Sequence, residues 1–337
     1  MKFSLGIGLT NACNLACDHC YRATGNDALP KEEVYRAVDS VETRAVNFGT
    51  GENGLHPDFS EIVTCLSDRG IAVTMTTNGY SAAAVSDDVL RRFRDVEFSI
   101  DYPSRDEHDA ARGAGNWDLI VAQMERCARL GVQATITSVM MSTNVRQMPS
   151  LLALAGERGA FLRVNVYQAV RRDMFSLGYA EFWAGFRSLL AHGDLLACGE
   201  PVVRAALGIP RAPGAGCGVE TLRVTPRAAV VPCVYGADQT LKIADLATMG
   251  ASVIEKPAFT ALRVLPQACA GCPQQETCGG GCPSRRALRG SLDNKDQYCP
   301  FLGGEALEAA PQELGRLLPK ASSACTTIFR ARPPSAG

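Results

Sequence analysis

The sequence predicts an α/β protein: a partial, TIM-like barrel of six βα units, followed by a loop-rich, cysteine-dense C-terminal domain. Three observations carry this expectation. Short apolar strands alternate with helix-like stretches over about the first 170 residues; the rhythm then stops; and most of the fourteen cysteines gather in two fields.

The elements follow in order. Residues 3–10 (FSLGIGLT) read as a strand that runs into the first cysteines. Pro30 at a first-turn position opens a helix through KEEVYRAVDSV. AVNFGTGE reads as strand plus Gly-rich turn, and DFSEIVTCLSDRG as a helix closed by Gly70. IAVTMTTNG is a strand, SDDVLRRFR a helix and VEFSID a strand. WDLIVAQMERCARLG, VQATITSVMM, QMPSLLALAGERG and FLRVNVY continue the alternation. Each strand-to-helix loop carries polar or Gly residues, and in parallel barrels the chemistry gathers where these loops converge. Beyond them, RRDMFSLGYAEFWAGFRSLLAHG reads as helical and GIPRAPGAGCG as a linker. The expected division is 1–200 for the barrel, 201–310 for the cysteine-dense domain and 311–337 for a helix with a frayed tail.

A net charge of -1 and a pI of about 6.4 give no bulk attraction to nucleic acid or to an anionic membrane. No apolar run approaches the roughly 18 residues of a membrane span. The start, MKFSLGIGLTNAC, is too soon interrupted for a signal peptide, so a cytoplasmic location is expected. In that reducing compartment, clustered thiols point to metal rather than to disulfides. Three cysteines lie at 13–20 and seven at 217–299. Cys65, Cys127, Cys198 and Cys325 stand alone, and single cysteines usually pack as small hydrophobes.

Cys13, Cys17 and Cys20 form a CxxxCxxC run in a strand-to-helix loop. Three thiolates fit three irons of a cubane cluster and leave the fourth iron open. A zinc ion with His19 as fourth ligand is the alternative, although adjacent residues His19 and Cys20 reach one tetrahedral ion with difficulty. This run, followed by the aromatic Tyr21 after the first strand of a βα series, resembles the radical S-adenosylmethionine (radical SAM) superfamily. Gly49-Thr50-Gly51-Glu52 resembles the family's GGE turn, with Thr50 in place of Gly and Asn53 in place of Pro. Thr77-Asn78-Gly79 resembles its TNG turn. Ser99-Ile-Asp101 with His108-Asp109 and Arg112-Gly113 resembles its SxD…HDxxRG stretch.

The resemblance implies that Cys13, Cys17 and Cys20 hold a [4Fe–4S] cluster that reductively cleaves SAM to a 5′-deoxyadenosyl radical. Tyr21, Thr50, Gly51, Glu52, Asn78 and Ser99 would then form the SAM site, with Glu52 on the methionyl ammonium. An ordinary tight turn is the plainer reading of residues 49–52, and His108 reads as structural. Tyr167, Gln168 and Arg171, after the sixth strand, would either face the cavity or cap its rim.

The second field, Cys269, Cys272, Cys278 and Cys282 as CxxCx5CxxxC with Cys299 beyond and Cys217 and Cys233 upstream, resembles the SPASM extension of radical SAM enzymes. That extension implies two auxiliary clusters, hence three [4Fe–4S] clusters in all. Cys269, Cys272, Cys278 and Cys299 would hold one cluster. Cys217, Cys233 and Cys282 would hold three corners of the other. Its fourth ligand is uncertain: Arg223 stands where some relatives have a cysteine, and Cys198 is one substitute. Ala228 replaces a Gly usual before the cysteine matching Cys233. The clusters would pass electrons to or from substrate, or else staple a segment with little core.

The expected function is hydrogen abstraction from a small molecule, a sugar, nucleoside or aminocyclitol of natural-product or antibiotic biosynthesis, followed by oxidation or C–C bond formation. Only twelve residues precede Cys13, which leaves no separate peptide-recognition domain in this sequence and supports that choice. The alternative is a maturase that installs a thioether, C–C crosslink or oxidation in a ribosomally made peptide precursor. A non-catalytic iron–sulfur electron carrier is the remote third reading. A one-electron reductant such as flavodoxin or ferredoxin is the expected protein partner.

Overall fold

A computed structural model describes residues 1–23, 25–211, 216–236, 238–303 and 326–332. Six strands form the expected series: β1 (Phe3–Ile7), β2 (Thr43–Phe48), β3 (Ala72–Thr77), β4 (Phe93–Ser99), β5 (Gln133–Met140) and β6 (Phe161–Val166). Each pairs in parallel with the next. Alternation explains the layering. Phe3, Leu5 and Ile7 of β1 are buried in the main apolar core, whereas Ser4 and Gly6 occupy the other face. The helices fall where periodicity places them, among them Lys31–Asp39, Phe59–Asp68, Asn116–Leu130 and Met148–Glu157. The helix expected through SDDVLRRFR is shorter, Asp87–Leu90, because β4 already begins at Phe93.

Four further strands lengthen the sheet: β7 (Gly193–Ala197), β8 (Thr221–Val224), β9 (Val230–Val231) and β10 (Thr327–Ala331). The full order is β7-β10-β6-β5-β4-β3-β2-β1-β8-β9. β8 pairs in parallel with β1 and antiparallel with β9, so the first hairpin of the cysteine-dense region continues the barrel sheet. Its apolar residues Leu222, Val224, Ile243, Leu246 and Phe259 join the same core cluster as the barrel.

The C-terminal segment corrects the expected frayed tail. Residues 304–325 and 333–337, which include the expected helix and the last residues, lie outside the described residues. Between them, β10 inserts antiparallel between β6 and β7. Phe329 is completely buried and Thr327 nearly so, which covers an edge that would otherwise expose unpaired backbone groups. The stretch 171–178 before helix Tyr179–His192 is not helical. Among the described residues, no helix is long and apolar enough to cross a membrane.

Candidate active site

The loop holding Cys13, Cys17 and Cys20 leaves the C-terminal end of β1 and is braced from several sides. Arg22 donates through Nη1 to the Asn11 carbonyl at 2.8 Å and through Nη2 to the Leu15 carbonyl at 3.0 Å. His19 Nε2 sits 3.2 Å from Asp101 Oδ2, which also receives Arg112 Nε at 2.9 Å. Burial opposes ionisation of Asp101, yet Arg112 and His19 hold its carboxyl below the usual range. His19 is thus occupied by a carboxylate. Among the described residues, no three His, Cys, Asp or Glu groups converge on one point as a single metal ion requires. The zinc reading therefore fails. Thiols alone, spread around a cavity, suit an iron–sulfur cluster instead. The backbone N–H of Leu15 donates to Cys13 Sγ at 3.4 Å, and Asn78 Nδ2 lies 3.7 Å from the same sulfur.

The turn after β2 is fixed by close approach. A Cβ on Gly51 would lie 2.2 Å from the Thr10 carbonyl oxygen, and φ there is +64°, so only glycine fits. Thr50 also takes a left-handed φ of +85°, rare for a β-branched residue. Its Oγ1 lies 3.0 Å from the Tyr21 hydroxyl. The Tyr21 ring meets Tyr235 edge-on with centroids 5.3 Å apart, two residues beyond Cys233.

Glu52 is 1% exposed, and burial pushes its carboxyl up from the ordinary value. Oε1 accepts from Thr77 Oγ1, Ser81 Oγ and the Ser81 N–H, while Oε2 accepts the Asn78 N–H at 2.9 Å. Oε1 is fully used and Oε2 has room for one more donor. Glu52 therefore locks the turn after β2 to the turn after β3, a task the sequence reading did not give it. Asn78 extends the lock: Nδ2 donates to Asn14 Oδ1 at 2.8 Å, and its carbonyl accepts Asn116 Nδ2 at 2.7 Å. His108 is buried and bonds Asn116 Oδ1 at 2.9 Å, so it is structural as expected.

One cavity of about 330 Å³ unites these pieces. Cys13, Cys17, Cys20, Tyr21, Thr50, Gly51, Glu52, Asn78 and Ser99 all line it, and so do Cys217, Cys233 and Cys282. Tyr167 and Gln168 also face it. Arg171 does not: it is exposed and donates to the Arg22 carbonyl at the rim. Cys269, Cys272, Cys278 and Cys299 surround a separate small cage with Asp296 and Phe301, and Cys278 borders both spaces. A glycine turn, Gly279–Gly281, with φ of +64°, +79° and +81°, joins Cys278 to Cys282. A Cβ on Gly281 would strike the Asp296 carboxylate at 2.3 Å.

The uncertain fourth corner is occupied by no cysteine among the described residues. Cys198 packs in the core, its thiol donating to the Glu200 carbonyl at 3.6 Å, and burial raises it to about 12. Arg223 lines the cavity instead, its guanidinium lying where a Cβ on Gly6 would be. Cys233 is pulled down from the ordinary thiol value by its hydrogen bond with Cys217, against burial and with help from Ser284.

Sequence reasoning missed the cavity floor. Arg163 Nη1 bonds both oxygens of Glu97 at 2.6 Å, and Thr76 Oγ1 donates to Glu97 Oε2 at 2.7 Å. The signal was the polar residue at alternate positions, Thr74 and Thr76, Asp95 and Glu97, Thr135 and Thr137, which marks a polar interior face.

A partial parallel barrel with a thiol trio beyond its first strand, and more thiols across the cavity, defines a barrel enzyme built around iron–sulfur chemistry. Residues 7–155 match the radical SAM superfamily. The mycofactocin maturase MftC of Mycobacterium ulcerans is 29% identical, over 86% of each chain. The PqqA peptide cyclase of Methylorubrum populi is 26% identical, over 86% of this chain and 83% of its own. In fold, the chain resembles SuiB of Streptococcus suis, solved with S-adenosylmethionine, at a TM-score of 0.70 and 16% identity over 88% of this chain and 77% of SuiB. The chain is a radical SAM enzyme, with a C-terminal extension of the SPASM type. The family implies SAM and a [4Fe–4S] cluster, and the thiol trio at the cavity wall fits that cluster.

Proposed function

We propose that the protein is a peptide maturase, a radical SAM enzyme that modifies a ribosomally made precursor. The observation that carries this is the kinship along most of both chains with a PqqA peptide cyclase and a mycofactocin maturase. It favours the peptide substrate over the small molecule expected from the sequence.

The cavity agrees with such a task. Cys13, Cys17 and Cys20 hold the cluster that, when present, supplies the electron cleaving SAM. Tyr21, Thr50, Gly51, Glu52, Asn78 and Ser99 position SAM beside it. Cys217, Cys233 and Cys282 hold a nearer auxiliary cluster across the same cavity, and Cys269, Cys272, Cys278 and Cys299 a farther one. Cys278, bordering both spaces, gives an electron leaving substrate a short onward route. A substrate segment lying between the two walls is exposed to hydrogen abstraction on one side and to an electron acceptor on the other. Low-potential electrons come from a flavodoxin- or ferredoxin-like reductant.

The test is anaerobic reconstitution to about twelve irons per chain, reduction, and incubation with SAM and deuterated candidates. Deuterium in 5′-deoxyadenosine from peptides and not from sugars or nucleosides is expected. Transfer from a sugar or nucleoside alone restores the small-molecule reading.

A further inference from the structure

Two adjacent arginines on the helix Pro283–Leu288 are buried, and only one of them is satisfied. Arg285 is 2% exposed. Its Nε donates to Asp296 Oδ1 at 2.9 Å, its Nη2 to Glu200 Oε1 at 2.7 Å and its Nη1 to Glu200 Oε2 at 3.2 Å. Its guanidinium also lies 4.8 Å from the Tyr298 ring centre. Arg286 is 1% exposed and has no such partners. Its Nη1 donates to the Leu292 carbonyl, while Nε and Nη2 are buried without any hydrogen-bond acceptor.

A buried guanidinium with two idle N–H groups is a large cost unless something anionic meets them. The nearby carboxylate, Asp296, is already spent on Arg285 and on the N–H groups of Cys282 at 2.7 Å and Tyr298 at 3.0 Å. What remains is sulfur. Arg286 stands one helical turn beyond Cys282, its N–H donating to the Cys282 carbonyl at 3.1 Å. Burial lowers its basicity, and the groups that oppose this are Asp296 and the thiols of Cys269, Cys282 and Cys278. Those thiols belong to both auxiliary sets, Cys282 to the nearer and Cys269 and Cys278 to the farther.

We propose that Arg286 is a positioning residue shared by the two auxiliary clusters, its Nε and Nη2 donating to their sulfur atoms as a positive wedge between them. N–H donors and positive charge stabilise the more negative, reduced state of a cluster, so Arg286 raises the potential at which the auxiliary clusters accept an electron. The inference rests on the presence of both auxiliary clusters, and independently of it on no particular substrate.

The experiment is a redox titration of the reconstituted full chain followed by electron paramagnetic resonance, with iron counted per chain. Arg286→Met keeps bulk and removes every donor; Arg286→Lys keeps the charge and removes the fork. The expected result is a shift of the auxiliary signals to lower potential, larger for Met than for Lys, with the signal of the Cys13/Cys17/Cys20 cluster unmoved. Auxiliary potentials equal to wild type in loaded Arg286→Met overturn the proposal. If that variant loads no auxiliary iron, Arg286→Lys decides, and an unshifted potential there overturns it. Wild-type protein that takes up only about four irons defeats the two-cluster reading itself, and this proposal with it.

Discussion

The barrel and the cysteine-dense extension are held together in different ways. In the barrel, six parallel strands and their helices bury a continuous apolar core, and the Cys13–Cys20 loop is braced by protein groups alone: His19 on Asp101, Asn78 on Asn14, Arg22 on two carbonyls. In the extension from Cys269 to Cys299 the helices are four to six residues long, and the buried bulk is largely charged, Arg285, Arg286 and Asp296. Short helices do not stand alone in water. Buried charges specify geometry at a cost. The difference teaches that the barrel can present its thiols before iron arrives, whereas the extension depends on iron to complete its fold.

The largest effect that would break this comparison is loss of iron. Chelation is expected to strip hydrogen-exchange protection from residues 265–303 while strands β2–β5 stay protected; uniform loss across the chain would place the barrel in the same class as the extension. Next, Cys17→Ala should abolish 5′-deoxyadenosine formation, assayed by chromatography, yet leave the extension's exchange protection intact. Asp296→Asn leaves Arg285 and the Cys282 N–H poorly paired, and should cost about 3–5 kcal/mol in the extension, read as a lowered Tm of iron-loaded protein. Glu52→Gln sets an amide donor against hydroxyl and N–H donors. It should cost about 1–3 kcal/mol in denaturant unfolding of the barrel and weaken SAM binding measured by calorimetry. Smallest, Thr50→Gly relieves a left-handed β-branched residue worth about 1–3 kcal/mol but gives up the bond to Tyr21. The expected sum is a slight rise in Tm together with weaker SAM binding; an unchanged affinity would separate Tyr21 from the SAM site.

Much of the barrel was readable because its signals are local. Pro30 opens a helix and Gly70 closes one within a few residues of the pattern they punctuate, and the turns at 49–52 and 77–79 are contiguous motifs beside strand ends. The thiol trio was readable for the same reason, since Cys13, Cys17 and Cys20 share one loop. Strand β10 was not. TTIFRA is a short apolar run at the end of a polar tail, and its partners Leu162 and Leu195 lie more than 130 residues earlier in the chain. Arg171 read as a cavity residue by its place after β6, yet its side chain turns to the Arg22 carbonyl at the rim. Side-chain direction in a loop is not set by strand alternation.

By itself the sequence determined the αβ alternation, the radical SAM motifs and the count of thiols, because each depends on neighbours in the chain. Only the tertiary structure decided which groups share a space. It set Cys217, Cys233 and Cys282 across one cavity from Cys13, Cys17 and Cys20, filled the space above Gly6 with Arg223, and left Arg286 buried among thiols with donors to spare. Those juxtapositions join residues more than 200 positions apart in sequence, and only the closed packing of the sheet against the extension brings them within reach.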